Sequence, residues 1–300
     1  VGDPTDCDDS DPNSGFCIFE EVNFTTCGAT GASGPSSGDC NTAYGGTTLD
    51  GYVSVSSGIQ TWIVPDNGDY VILAVGADGG DNTDHGYIGG YGASMGGTFA
   101  LTAGQVLEIV VGQSGTNGSD DAGGGGGSFV AVQGASLPLI AAGGGGGGAE
   151  NDDNAGSMTL YKNGVITECG QGAPQHSGGG TTNPGGCNGN GGSNDPHHYG
   201  QGAGAGFLTD GDNGSGGNLC NGKAFVNGAE GCNNGGFGGG GNGGGDGGGG
   251  AGGYSGGAGG SGGGSPDGPG GGGGSYNTGT NQLNSDGANN AGGYVTISAA

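Results

Sequence analysis

Glycine occupies 91 of the 300 positions, in uninterrupted runs over 123–127, 143–148, 247–250 and 270–274. Glycine offers no side chain to bury and loses the most backbone freedom on folding. Ordering one residue costs roughly 1–2 kcal/mol, so such runs either stay as a tether or cohere by something other than apolar burial. Main-chain hydrogen bonds between closely packed segments are the available alternative. Average glycine usage is about 7%, and there is no strict G-X-Y period and proline is scarce at 10 residues, which excludes collagen.

A three-residue-per-turn polyglycine-II helix rises about 3.1 Å per residue and makes no internal hydrogen bonds. Its N–H and C=O groups point outward, so several such helices packed side by side can pair every backbone group. The run 143–148 would make about two turns, close to 19 Å, and suits a central position. The stretch interrupted by Asn242 and Asp246 suits the rim.

The rest of the chain reads as strands. Tyr52, Val53 and Val55, then Ile59 and Trp62-Ile63-Val64, precede a turn at Pro65-Asp66-Asn67-Gly68. Strand patterns follow over 70–75, 98–101, 106–111, 128–132 and 137–141, and Gly293-Tyr294-Val295-Thr296-Ile297-Ser298 closes the chain. Short strands rich in β-branched and aromatic residues, at short turn spacing, predict a β-sandwich. Met158 to Tyr161 and Val165 to Thr167 flank Asn163-Gly164, which predicts a hairpin with a type I′ turn. The expected organisation is an acidic arm with a linking strand over 1–25, a sandwich over 26–142 plus 290–300, and a glycine-rich insert over 143–289.

Net charge is −26, with Lys162 and Lys223 the two basic residues. Phosphate contacts need Lys and Arg, which excludes nucleic-acid binding, and an anionic membrane would repel this surface. No apolar run reaches the ~20 residues of a membrane span. The sequence opens without Met or a signal peptide and is expected to be a mature or excised segment. Eight cysteines, Cys7, Cys17, Cys27, Cys40, Cys169, Cys187, Cys220 and Cys232, form no C-x-x-C pair. They predict disulfides in an oxidising compartment, with consecutive pairing the simplest of the possible connectivities. Asn23, Asn117 and Asn213 open N-x-S/T sequons and are glycosylation candidates.

The acidic N-terminus carries a metal-binding pattern. Asp9, Asp11, Asn13 and Glu20 fall at positions 1, 3, 5 and 12 of an EF-hand-type loop, with Asp6 and Asp8 adjoining. Hard oxygen ligands at that spacing suit Ca²⁺, although Ser14 stands where such a loop expects Gly. The segment Asp6-Cys7-Asp8-Asp9-Ser10-Asp11-Pro12 resembles the acidic metal-binding repeats of bacterial surface proteins, related in style to thrombospondin type 3 repeats.

No catalytic constellation emerges. Gly92-Ala93-Ser94-Met95-Gly96 matches G-x-S-x-G, but no helix is predicted after it, as a nucleophile elbow requires. The G-x-G-x-x-G matches sit in no βαβ unit. His197 and His198 beside Asp195 form an exposed loop rather than a metal site, and His85 and His176 stand apart. The chain is expected to be no enzyme.

Three pairs of stretches carry a family resemblance. Thr26-Cys27-Gly28-Ala29-Thr30-Gly31 with Cys40-Asn41-Thr42-Ala43-Tyr44 is one; Gly58-Ile59-Gln60-Thr61-Trp62-Ile63-Val64-Pro65 with Gly76-Ala77-Asp78-Gly79-Gly80 is another. Val111-Gly112-Gln113-Ser114-Gly115 and Pro138-Leu139-Ile140-Ala141-Ala142 complete it. Together they resemble the extracellular glycine-rich region of the anaplastic lymphoma kinase and leukocyte tyrosine kinase receptors. The resemblance implies an all-β, tumour-necrosis-factor-like jelly-roll sandwich with a large inserted bundle of polyglycine-II helices, and a Cys27–Cys40 disulfide. No kinase or epidermal-growth-factor-like module accompanies it, so the receptors' cytokine-binding role is not carried over.

The functional expectation is a secreted structural protein, a homopolymer subunit of an extracellular fibre or appendage. Residues 16–25, a strand with no evident partner, would pair with the preceding subunit and build a head-to-tail filament. The alternative is an adhesin or receptor-ectodomain-like module that binds a glycan or a cell-surface protein.

Overall fold

The computed structural model describes residues 21–149, 159–173, 183–194, 199–215, 220–245, 247–262 and 267–300. Two antiparallel sheets form an all-β sandwich. The first contains β1 (Val22–Phe24), β4 (Gly68–Val75), β5 (Gly92–Leu101), β10 (Thr280–Asn289) and β11 (Tyr294–Ala299), in the order β1-β11-β4-β5-β10. The second contains β2 (Ser54–Ser56), β3 (Ile59–Ile63), β6 (Val106–Val110), β7 (Ser128–Val132), β8 (Ile140–Ala142) and β9 (Tyr276–Asn277), in the order β2-β3-β6-β7-β8-β9.

Alternation along the strands builds the core between the sheets. Phe24, Ile72, Met95 and Ile297 from the first sheet meet Trp62, Leu107, Ile109, Val130 and Ile140 from the second. Each such side chain, fully buried, stabilises by roughly 1.5–3 kcal/mol. Helix α1 (Ser37–Tyr44) closes one end. It starts on a capping box, in which Asp39 N donates to Ser36 Oγ and Ser36 N donates to Asp39 Oδ2. The Cys27–Cys40 disulfide fastens it. Tyr44 from its last turn donates to the buried Gln60 Oε1 at 2.6 Å, and Gln60 Nε2 donates to the Thr25 carbonyl at 2.8 Å.

The second sheet is covered on its outer face as well. Val110, Phe129, Ala131 and Ala141 point there and pack against Phe207, Phe225, Phe237 and Tyr254 from the glycine-rich part of the chain. Phe129 lies 5.5 Å from Phe225, and Phe207 stacks on Phe225 at 4.7 Å. Strand β7 is buried on both faces for this reason.

Beyond those aromatics the glycine-rich segments form a layer held by main-chain hydrogen bonds. Along 143–148 the partners change with every residue, and the same neighbouring segment returns every third one except for the N–H groups of Gly143 and Gly146, which donate to Ser275 Oγ and Lys162 O. Gly144 and Gly147 donate to Gly252 and Gly249, while Gly145 and Gly148 donate to Ala77 and Gly80. The carbonyls of Gly144 and Gly147 accept from Gly273 and Gly270, and those of Gly145 and Gly148 from Gly125 and Ala122. Gly124 and Gly127 likewise donate to Gly241 and Gly238, and Gly250 and Gly253 to Gly202 and Ala205. Several segments therefore surround one central run, and each contributes one backbone group per three residues. A Cβ on Gly144 would stand 2.6 Å from the Gly125 carbonyl oxygen, and one on Gly127 would stand 2.9 Å from Gly253 Cα. The close approach that makes the hydrogen bonds also excludes side chains. Glycine loops of the sandwich itself, at 76–80 and 123–127, enter this layer. Two disulfides, Cys169–Cys187 and Cys220–Cys232, lie in it.

Three sequence expectations are corrected. The hairpin across Asn163-Gly164 does not form; residues Thr159–Lys162 make a single helical turn, α2. The backbone there is committed elsewhere: Tyr161 and Lys162 carbonyls accept from Gly272 and Gly146, Gly164 N donates to Tyr91 O, and Val165 N donates to Gly273 O. The strand expected over 16–25 to lack a partner has one in its described part, because β1 pairs with β11 of the same chain, Val22 facing Ile297 and Phe24 facing Val295. Strands β9 and β10 occupy 276–289, where glycine-rich structure was expected, and β10 pairs with β5.

Candidate functional site

The loop between β4 and β5 and the loop between β6 and β7 leave the glycine layer together and form a tip. Asn82 is its clamp, with 0% of its surface exposed. Its N–H donates to Tyr87 O at 2.8 Å and its carbonyl accepts from Tyr87 N at 3.1 Å. Its side chain donates to Asp120 O at 2.9 Å and accepts from His85 N at 3.0 Å. Asp81 fastens the other side, taking Gly89 N on Oδ1 at 2.8 Å and donating its own N–H to Asn117 Oδ1 at 2.8 Å. Thr83 N donates to Gly118 O at 2.8 Å, and Lys162 Nζ in α2 donates to Ile88 O at 2.8 Å. Asn and Asp side chains that bond nearby backbone are the residues that hold tight turns, and Gly86 supplies the one left-handed position here, at φ 70°.

This frame presents an apolar and aromatic group to solvent. The His85 and Tyr87 rings stack at 6.0 Å and 15°. Ile88 is 56% exposed. Asp84 and Asp120 are exposed around them. Lys162 is buried with its ammonium turned to the Ile88 carbonyl, and Lys223 is paired with Asp210 at 2.9 Å. The tip is thus rigid in its backbone, apolar at its apex and negative at its margin.

Two other surfaces carry less. A groove of about 370 Å³ lies between residues 33–37, Val55, residues 57–58 and Glu230. Its Ser36 is engaged in the helix cap, where Ser36 hydrogen bonds hold Asp39 below the usual carboxylate range, so the pair is structural. The outer face of the first sheet is open, with Leu73 and Leu283 flanking Gly96 and Leu283 81% exposed.

Charged groups elsewhere serve the fold. Burial raises Asp210, but hydrogen bonds from Ala224 N, Asn227 Nδ2 and Lys223 Nζ outweigh it and leave the carboxyl below its ordinary value. Burial pushes Asp78 up, against a hydrogen bond from Ser114, and its Oδ1 has no partner.

The calcium-loop residues Asp6, Asp8, Asp9, Asp11, Asn13 and Glu20, with Cys7 and Cys17, lie outside the described residues, as do His176, Asp195, His197 and His198. No group of three or more His, Cys, Asp or Glu side chains able to hold a metal occurs among the described residues. Asn23 is exposed on β1, Asn117 is exposed at the tip with its Oδ1 engaged by Asp81, and Asn213 is exposed in the glycine-rich region. Ser94 of the G-x-S-x-G match lies inside strand β5, away from any strand-to-helix turn. The tip escaped sequence reading because its residues are scattered in kind. The run Asp81-Asn82-Thr83-Asp84-His85-Gly86 is the signal that marks it, a string of turn-forming side chains before a glycine.

Among the described residues no helix is long and apolar enough to cross a membrane. No family model matches the chain. Over 95 residues, 31% of this chain, it is 39% identical to the mouse leukocyte tyrosine kinase receptor. The matched part spans 11% of that receptor's length. The three disulfides among the described residues and this partial similarity to a receptor fit an extracellular, disulfide-bonded β-sandwich module.

Proposed function

We propose that this chain is an extracellular, non-catalytic binding module that engages a protein or glycan partner through its 81–91 tip. The observation that carries the reading is the clamped presentation of His85, Tyr87 and Ile88: a fixed backbone lowers the entropy lost on binding, and aromatic and aliphatic side chains supply the contact. Both lysines are engaged, so the free charge of the surface is negative and favours a partner with a basic face. The experiment is a screen of the full chain against immobilised glycans and basic proteins, repeated with Ile88→Ala and with His85→Ala/Tyr87→Ala. Loss of about tenfold or more in affinity at the tip variants is expected; hits that all bind these variants equally overturn the assignment.

The threefold recurrence of hydrogen-bond partners supports polyglycine-II geometry in the glycine layer. Its role is to hold the tip loops from beneath. The acidic arm is proposed to bind Ca²⁺ through Asp9, Asp11, Asn13 and Glu20, a reading that fails if calorimetry of the synthetic 1–21 segment gives no binding heat. The fibre reading loses its strand donor at 22–24, where β1 already occupies its own sheet edge.

A further inference from the structure

Asn23 opens the sequon Asn23-Phe24-Thr25 and stands in the middle of β1. Val22 and Phe24 on either side of it are buried in the core, so strand alternation turns Asn23 to the outer face of the first sheet, where it is exposed. Directly opposed residues of an antiparallel pair share a face. Register therefore carries one row across all five strands: Asn23 opposite Thr296, Thr296 opposite Leu73, Leu73 opposite Gly96, and Gly96 opposite Leu283. The rows above and below it run Tyr294, Val75, Ser94, Ser285 and Ser298, Val71, Thr98, Thr280. No charged side chain stands in these three rows, on a chain whose net charge is −26. Val71, Tyr294 and Leu283 are exposed there. Small residues on β5 leave a shallow trough between Leu73 and Leu283. Exposed apolar surface that is contiguous marks a place where something makes contact.

We propose that Asn23 carries an N-linked glycan whose first sugars lie along this row, over Thr296 and Leu73 toward the trough at Gly96. In the transfer, the Asn23 amide nitrogen bonds to C1 of an N-acetylglucosamine. The C1–O bond of a lipid-pyrophosphate oligosaccharide donor breaks, the pyrophosphate leaves with the electron pair, and one amide proton passes to a base of the transferase. From Asn23 to Leu283 is four strand spacings, roughly 19 Å at about 4.8 Å each, so a core of several sugars is needed to cover the row. Sugar rings present C–H faces to Leu73 and Leu283 and hydroxyls to Thr296, Thr98 and Ser94. A second copy would bring another strongly acidic chain against the same face. A neutral glycan tethered within the row brings no charge and loses no translational freedom on docking. The other two sequons border no open sheet face: Asn117 belongs to the tip, where its Oδ1 accepts from Asp81 N, and Asn213 lies in the glycine-rich region.

The test uses the full chain secreted from a eukaryotic host, as parent and as Asn23→Gln, each also with Leu283→Ser. Leu283 is exposed, so its replacement keeps the fold. Peptide mass spectrometry of the parent is expected to find a glycan on Asn23. Asn23→Gln is expected to lower the melting temperature by about 2–4 °C and to raise the binding of a hydrophobic dye. In the Leu283→Ser background both changes should shrink by about half or more. With glycosylation blocked by tunicamycin, parent and Asn23→Gln should melt alike. Glycans on Asn117 or Asn213 are common to all four proteins and cancel. An unmodified Asn23, equal effects in the two Leu283 backgrounds, or a melting difference that survives tunicamycin overturns the proposal. So does a glycosylated parent that dimerises in sedimentation and is returned to monomer by Leu283→Ser, since a second copy then holds the face.

Discussion

The sandwich and the glycine layer solve the same problem with opposite materials. Between the sheets, Phe24, Ile72, Leu107 and Ile297 fill space, and cohesion scales with the side-chain area removed from water. In the layer, segments approach until a Cβ would meet a carbonyl, and cohesion comes from backbone groups paired in every direction. A mutation that shrinks a residue should harm the first region and one that enlarges a residue should harm the second. The aromatic side chains of Phe129, Phe207, Phe225 and Tyr254 join the two regimes, because no backbone ladder runs across from the face of a sheet.

The sharpest way to break this contrast is a pair of substitutions of opposite sign. Ile72→Ala is expected to cost about 2–5 kcal/mol through lost burial and a cavity. Gly145→Ala should cost at least as much, since its Cβ would lie within 3.0 Å of the Gly90 carbonyl, and backbone cannot yield as a rotamer does. Denaturant unfolding of both variants measures this, and a Gly145→Ala protein of parental stability would dissolve the distinction. Removing the Cys169–Cys187 disulfide by double serine substitution is expected to cost about 2–4 kcal/mol. Amide exchange should report the loss first in the glycine layer and leave β4 and β5 protected; uniform loss would mean that the two regions unfold as one.

A smaller effect belongs to Asp78, whose N–H donates to Ala291 O and whose carbonyl accepts from Gly115 N, in the midst of glycine backbone. Burial raises its pKa in the folded state, so the folded chain binds the proton more readily than the unfolded one. The charged carboxylate therefore detracts from stability above the folded value, and that penalty is relieved as pH falls toward the ordinary carboxylate range. Asp78→Asn should raise the melting temperature at neutral pH, with the gain vanishing in acid. A gain that persists at low pH would assign the effect to something other than charge. Smallest is Ile88→Ala, expected within about 0.5 kcal/mol of the parent because its side chain is exposed; a large destabilisation would make Ile88 part of the frame and not of the binding surface.

Strands β3, β4, β6, β7 and β11 are legible because β-branched and aromatic residues fill them. Strand β10 hides because Thr280-Asn281-Gln282-Leu283-Asn284-Ser285 is polar at every position but Leu283 and pairs at a sheet edge without a buried face. The first half of β5 hides because Gly92, Gly96 and Gly97 stand where a strand former would be sought. Helix α1 went unread, since its one local signal is Ser36 and Asp39 at capping spacing. The Asn163-Gly164 hairpin fails for the reverse reason: a local turn preference was overruled by five separate long-range backbone bonds to residues 161–165. At the tip, the frame depends on Asn82 reaching Asp120 and on Asn117 reaching Asp81 across two loops, which no local pattern encodes.

The recurrence of partners every third residue along 143–148 turns these runs into something like a reading frame. Inserting or deleting one glycine shifts every later residue of that run by one place in this cycle of three and hands its donor to the wrong neighbour. A change of three restores the match. Length variation within such a run is therefore expected to be tolerated in triplets, the one change that returns each donor to its own neighbour.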